Sequence, residues 1–283
     1  MVVDFHTHNF PDALAARALA SMTQRLQGRA IPVGDGTVAC QLTAMAAAGI
    51  DRSVVCPIAT RPQQFAPILA RSRAVAQGAE GEEAARRLTF LASVHPQDPD
   101  FAAHVADIAA AGIRGVVFHP YFQGFRLDDP SVAPLFATVR DAGLFAICHC
   151  GGDTGFLDAP MLCGPGEIAA LLDAVPGLPF VACHLGGVNR NPAGSVDRLL
   201  PYETCFIDTA RLVEDDANPE AERICREFPA DRILFGTDYF WREQARLKAW
   251  VESCRPDPAD RERIFHLNAE RLLGLPPART AVQ

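Results

Sequence analysis

The sequence predicts a (β/α)8 barrel, the TIM-barrel fold of the α/β class. Three observations predict it: eight short apolar runs, helical segments between them, and polar residues gathered at the C-terminal ends of the runs. The runs are Val2 to His8, Ser53 to Ala59, Thr89 to His95, Gly115 to Tyr121, Leu144 to Cys150, Pro179 to Leu185, Thr204 to Thr209 and Arg232 to Asp238. Each is rich in Val, Ile, Phe and Leu and too apolar to face water, as buried parallel strands are.

The segments between them carry apolar residues at spacings of three and four. Helices are expected over Asp100 to Ala111, Val132 to Ala142, Pro165 to Ala174, Pro219 to Phe228, Arg242 to Ser253 and Pro258 to Leu273. Gly49, Gly112, Gly143, Gly177 and Gly274 stand where helices stop. The stretch Arg61 to Arg87 is the least regular, and reads as a long connection with at least one helix and as a candidate lid. An open doubly wound sheet is the competing architecture, but no glycine-rich phosphate loop follows the first strand. No Pro/Gly/Ser-rich linker divides the 283 residues, so residues 1–283 read as one domain.

Composition narrows the function. The formal net charge is −8, which repels a phosphate backbone and argues against nucleic acid. No apolar run approaches the roughly 18 residues of a membrane span. The N-terminus Met1-Val2-Val3-Asp4-Phe5-His6 lacks the basic and apolar regions of a secretion signal, so a cytoplasmic location is expected. The nine cysteines fall largely inside apolar runs and read as reduced, buried thiols. Lys248 is the single lysine.

Barrel enzymes place their chemistry at strand C-termini. Of the eight histidines, His6, His8, His95, His119, His149 and His184 sit at such ends, and only His104 and His266 fall in helices. Residues two apart on a strand share a face, so His6 and His8 both point into the barrel and can grip one ion. His149 and Asp238 come from the opposite arc and can complete its shell. Imidazole and carboxylate donors suit a divalent metal: zinc is the first expectation, and Mn, Fe, Co and Ni also fit. Three nitrogens and one carboxylate leave a position for water, whose pKa the metal lowers. Asp238 could also accept the proton of that water. A lone histidine at a strand end is often a packed rim residue, and His95 reads that way; His119 reads equally as rim or site. His184 is expected in the active site, as acid/base or as an electrophile on a substrate oxygen.

These residues, together with His119-Pro120-Tyr121-Phe122-Gln123-Gly124-Phe125, His184-Leu185-Gly186-Gly187, Leu234-Phe235-Gly236-Thr237-Asp238 and Asn268-Ala269-Glu270-Arg271-Leu272-Leu273-Gly274, resemble the amidohydrolase superfamily over nearly the whole chain. Within it the pattern is similar to the amidohydrolase-2 group, which includes aminocarboxymuconate-semialdehyde decarboxylase and related decarboxylases and hydrolases. The resemblance implies a metal on His6, His8, His149 and Asp238, a catalytic His184, and a homodimer. One departure matters: two-metal members carry a bridging lysine on strand four, where Val117 stands here. Lys248 lies after strand eight, so one metal is expected and His184 is left for chemistry.

Substrate contacts are expected from Arg61, His119, Phe122, Gln123, Phe125, Arg126, Asp153, Asn189, Arg190 and Arg211, on loops after the strands. Arginine there can hold a carboxylate by two parallel hydrogen bonds; each could equally pair with a surface acid. The expected partner is a small, carboxylate-bearing molecule. The leading reaction is hydrolysis of an amide, ester or lactone by metal-activated water, with Asp238 relaying the proton and His184 stabilising the oxyanion. The second is non-oxidative decarboxylation of an unsaturated or aromatic acid. A non-catalytic metal- or ligand-binding barrel and a metal-dependent DNase are the remaining readings.

Overall fold

The computed structural model describes residues 1–210 and 219–275. The apolar runs become eight parallel strands, each shorter than its run: β1 Val3–Thr7, β2 Arg52–Val55, β3 Leu88–Phe90, β4 Gly115–Phe118, β5 Phe145–Cys148, β6 Phe180–Ala182, β7 Cys205–Asp208 and β8 Ile233–Leu234. The β1-β2-β3 ladder and the β4-β5-β6-β7-β8 ladder close on each other at two seams. Ala92, just past β3, bridges Val116: its N–H donates to the Gly115 carbonyl at 3.4 Å, and Val117 N–H donates to the Ala92 carbonyl at 2.8 Å. Beyond β8, Phe5 N–H donates to Phe235 O at 2.7 Å, Asp238 N–H to His6 O at 2.8 Å and His8 N–H to Tyr239 O at 2.6 Å. The result is a (β/α)8 barrel.

Both faces of the strands are buried, which is why the runs are continuously apolar rather than alternating with polar residues. Val54, Leu91, Val117, Ile147, Val181, Phe206 and Leu234 meet inside the barrel. Val55, Val116, Phe118, Ala146, Phe180, Ile207 and Ile233 pack outward against the helices. β1 breaks this period. Val3 and Phe5 belong to the inner cluster, and Phe5 rests on Phe145 with ring centroids 5.7 Å apart. A strict alternation would send His6 outward. The register against β2 shifts between Asp4 and Thr7, and this irregularity turns His6 inward above Phe5.

The expected helices form as Phe101–Ala110, Ala133–Asp141, Pro165–Ala174, Pro219–Glu227 and Gln244–Cys254. The last one is interrupted: Pro258–Glu262 and Asn268–Leu273 flank a π-turn at Arg263–Leu267. The long connection from Arg61 to Arg87 carries the helix expected of it, and a second. It forms a 3-10 turn, Pro62–Gln64, and the helices Phe65–Ala76 and Glu82–Arg87, anchored by buried Phe65, Leu69, Val75 and Ala84. It packs on the barrel and lines the cavity through Gln64, Pro67, Ile68, Arg71 and Ser72. The helix Asp12–Leu26 escaped the sequence reading; it starts from Pro11 without a side-chain cap and is built from Ala, Leu and Arg, strong helix formers. No helix among the described residues is long and apolar enough to cross a membrane. All nine cysteines are free, eight of them buried.

Asp4 ties the closing seam together. Its carboxylate accepts from Thr237 Oγ1 at 2.6 Å, Gln244 Nε2 at 2.7 Å and Thr237 N–H at 3.0 Å. His6 N–H also donates to it at 3.4 Å, and the group is fully buried, so removing it strands four donors without water to replace it. Asp4→Ala is expected to cost about 2–4 kcal/mol of stability, measured by urea unfolding of the metal-free chain. A loss within about 0.5 kcal/mol, the usual range for a surface substitution, would refute this role.

Candidate metal centre

Three strand ends, those of β1, β5 and β8, bring the four expected ligands together. His6 Nε2 and His8 Nε2 lie 3.2 Å apart, and Asp238 Oδ1 lies 3.2 Å from His8 Nε2 and 3.7 Å from His6 Nε2. The His149 ring joins them, 4.6 Å from the His6 ring and 5.3 Å from the His8 ring, and His6, His8 and His149 present ligand atoms within 4.8 Å of one another.

The surrounding hydrogen bonds assign the proton on each ring. His8 Nδ1 faces the Cys56 carbonyl at 2.9 Å, which can only accept, so Nδ1 carries the hydrogen and Nε2 the lone pair. His6 Nδ1 faces Asp208 Oδ2 at 2.7 Å and is assigned in the same way. His184 Nδ1 donates to the Ala210 carbonyl at 3.1 Å, leaving its Nε2 as acceptor for His149 Nδ1 at 3.2 Å. His149 Nε2 is then a lone pair, buried and without a hydrogen-bond partner. The His6 and His8 lone pairs and an Asp238 oxygen therefore converge with no donor among them, beside a His149 nitrogen within 4.8 Å of the two histidines. That arrangement repels itself unless a cation occupies its centre, so the residues fit a divalent ion.

The titration behaviour agrees. Burial works to raise the Asp238 carboxyl, but its position against the rings of His8, His6 and His184 outweighs that and holds it at about 2. Burial and the surrounding histidines push His149 well below the usual imidazole value. Burial also lowers His6, although Asp208 opposes it. Neutral imidazoles beside an ionised carboxylate are the state that binds a metal.

The backbone departs from regular strand geometry where it presents these groups. Asp238 has φ +62° and His184 φ +59°, left-handed values that are uncommon for non-glycine residues. The loops after β5 and β6 touch backbone to backbone: a Cβ on Gly151 would lie 2.9 Å from Gly187 O, so only glycine fits. This contact sets His149 against His184.

A cavity of about 380 Å³ opens onto His8, His149, His184 and Asp238. Of the expected substrate contacts, His119, Phe122 and Asp153 line it. His119 Nε2 lies 3.4 Å from Asp153 Oδ2, and its ring stacks on His149 at 4.6 Å between centroids. Asn189 borders only a small recess behind these rings, of about 20 Å³. The others are placed elsewhere. Gln123 is a structural brace: its amide donates to the Ala59 and Val94 carbonyls and accepts from His119 N–H. Phe125 packs on Phe118. Arg126 is pinned on the surface by Asp128 and Glu167. Arg190 braces a loop through the Phe156 and Ala159 carbonyls. Arg61 is exposed and outside the cavity, and Arg211 lies outside the described residues. His95 is a packed rim residue, accepting from Gln97 N–H at 3.1 Å.

Sequence reasoning missed three polar residues around the site. Asp208 orients His6 from below. Arg25 and Arg71 line the cavity from helices far from any strand end. Asp208 was legible as a strand-seven terminus; the arginines carried no comparable signal.

The family model described as Amidohydrolase matches residues 3–275. No curated protein matches the sequence. Among solved structures, an uncharacterized TIM-barrel protein, Bb4693, from Bordetella bronchiseptica is 22% identical, with a TM-score of 0.75 and 97% of this chain and 98% of that chain covered. The 5-carboxyvanillate decarboxylase from Sphingomonas paucimobilis is 15% identical with a TM-score of 0.70, covering 97% and 99%. A putative 2-pyrone-4,6-dicarboxylic acid hydrolase from Pseudomonas putida is 17% identical with a TM-score of 0.65, covering 97% of each. At these identities the likeness speaks for the fold.

Asp208 accepts from His6 Nδ1 and from the backbone N–H groups of His184 and Ala210, so it positions rather than binds. Asp208→Asn is expected to weaken metal binding about 10- to 100-fold, read by competition with a chelating dye, while the circular dichroism spectrum is unchanged. An unaltered affinity would remove Asp208 from the site.

Proposed function

The chain belongs to the amidohydrolase family and is an enzyme; from that premise we propose that it holds one divalent ion, zinc first, and hydrolyses an amide, ester or lactone of a small carboxylate-bearing molecule. The observation that carries this reading is the convergence of the His6, His8 and His149 lone pairs with ionised Asp238 at the floor of an accessible cavity.

His6, His8, His149 and Asp238 would hold the ion, which when bound supplies a Lewis acid for a carbonyl oxygen and acidifies a water. Asp238 is ionised, and so can take a proton from the attacking water and return it to the leaving group. His184 is fixed by the Ala210 carbonyl with Nε2 toward His149 and the cavity. Protonated at Nε2, it can donate to the oxyanion; neutral, it holds His149 in its binding tautomer. Support for one ion comes from Val117, an inner-core residue where a bridging lysine would stand, and from Lys248, which pairs with Glu252 at 3.0 Å on an outer helix.

Decarboxylation is the second reading, and the cavity wall favours it. Phe10, Leu14, Met22, Ile58, Phe122 and Trp241 surround the approach with apolar surface. Such a wall strips water from a carboxylate, and desolvation assists loss of CO2.

Metal analysis of the purified protein is expected to give one ion per chain, absent in Asp238→Ala. A panel of esters, lactones, amides and aromatic acids then separates the reactions: hydrolysis carries solvent oxygen into the product, whereas decarboxylation releases CO2. Asp238→Asn is expected to lower kcat/KM by about a thousandfold. Failure to take up metal after reconstitution would overturn the proposal.

A further inference from the structure

The cavity is bordered by an exposed arginine that no acid among the described residues pairs with. Arg25 lines it from the helix Asp12–Leu26. Its guanidinium carbon stands 4.8 Å from the Phe156 ring centroid and 5.5 Å from that of Phe122. It makes no hydrogen bond or ion pair with any described residue, in a chain whose formal net charge is −8. The second cavity arginine behaves differently. Arg71 is bidentate to Glu80 at 2.9 and 3.1 Å and donates to the Asn9 carbonyl at 3.2 Å.

An arginine at a surface is ordinarily just solvated, its stem laid on apolar atoms. Two features separate Arg25 from that case. Two aromatic rings hold the guanidinium, which limits its motion and leaves its N–H edge available. The path of its stem is also kept clear: a Cβ on Gly155 would lie 3.2 Å from Arg25 Cδ and 3.3 Å from Cγ. Gly155 belongs to the same loop as Asp153, and the Asp153 carboxylate is occupied by His119 and by Gly155 N–H. The nearest loop acid is thus turned to other partners.

We propose that Arg25 is a specificity-determining residue that binds a carboxylate of the substrate, separate from the group that reaches His6, His8, His149 and Asp238. A planar fork held by two rings matches a carboxylate bidentately. The apolar wall between the two polar places calls for an apolar body. The substrate class that follows is a two-ended molecule, reactive at one end and anionic at the other. This rests on the reading of the cavity as the substrate site.

Calorimetry on the zinc-loaded protein tests it, with the α,ω-dicarboxylates from glutarate to suberate against monocarboxylates of the same chain lengths. The wild type is expected to bind at least one dicarboxylate about tenfold more tightly than its monocarboxylate partner, the increment of one charge-assisted bidentate contact. Arg25→Ala is expected to erase that preference while zinc content and monocarboxylate affinity hold, and Arg25→Lys to restore it in part. No preference in the wild type, or a preference that survives in Arg25→Ala, overturns the assignment. A chain that takes up no zinc sinks the metal-enzyme reading instead; the same pairs titrated on the metal-free protein then decide Arg25 by the same criteria.

Discussion

The mutual repulsion of acceptor atoms at the mouth of the barrel is the constraint around which this structure is organised. His6 Nε2, His8 Nε2 and Asp238 Oδ1 crowd within 3.7 Å, and the His149 ring lies against the His6 ring with its Nε2 buried and nothing to bond. In a low-dielectric interior such a cluster is unfavourable alone and favourable around a cation. Every neighbouring group acts to preserve it. The carbonyls of Cys56 and Ala210 and the carboxylate of Asp208 each take a proton on the far side of a ring, which leaves His8 and His6 bare on the near side and turns His184 Nε2 to His149 Nδ1. Two of these acceptors are backbone atoms, which no side-chain substitution can remove.

Holding those lone pairs in place is a problem of barrel closure. His6 and Asp238 lie on opposite sides of the seam between the first and last strands, and the two are joined by the bond from Asp238 N–H to His6 O at 2.8 Å. The seam is therefore part of the site. Asp4 reinforces it one layer down, gathering Thr237 and Gln244 onto one carboxylate. The register shift in β1 does the remaining work, because it lets Phe5 fill the barrel and His6 face the ion site in consecutive positions.

What was legible in the sequence follows from which signals are local. Eight apolar runs, glycine stops and histidines at run ends are local patterns, and they carry the barrel and the ligand cluster. Strand lengths were overread: β8 is only Ile233–Leu234, and past it the chain meets β1 through separate bonds at Phe235, Asp238 and Tyr239 rather than a regular ladder. The helix Asp12–Leu26 was invisible because its hydrophobic pattern is diluted by Ala and exposed Arg, and it supplied Arg25 from outside the strand-end positions where ligands were sought. Gln123 and Arg126 were misplaced for a common reason. A polar residue in a loop after a strand has the same local signature whether it meets substrate, a carbonyl or a neighbouring acid; only the fold brings Ala59, Val94 and Glu167 to them.

The contrast between Val117 and His119 shows how one strand separates structure from chemistry. Both point inward from β4 or its end, two residues apart. Val117 sits in the inner apolar layer with Ile147 and Val181, where an ionised side chain would be buried without a partner. His119 is one layer higher, where Asp153 meets Nε2 and the ring lies on His149. Burial lowers the His119 pKa despite Asp153, so the ring stacked on His149 is neutral and adds no charge against the cation that His149 would bind. Inside this barrel the imidazoles are thus gathered at its mouth, and that layer can place three of them and a carboxylate around an ion because the largely apolar layer beneath it excludes water.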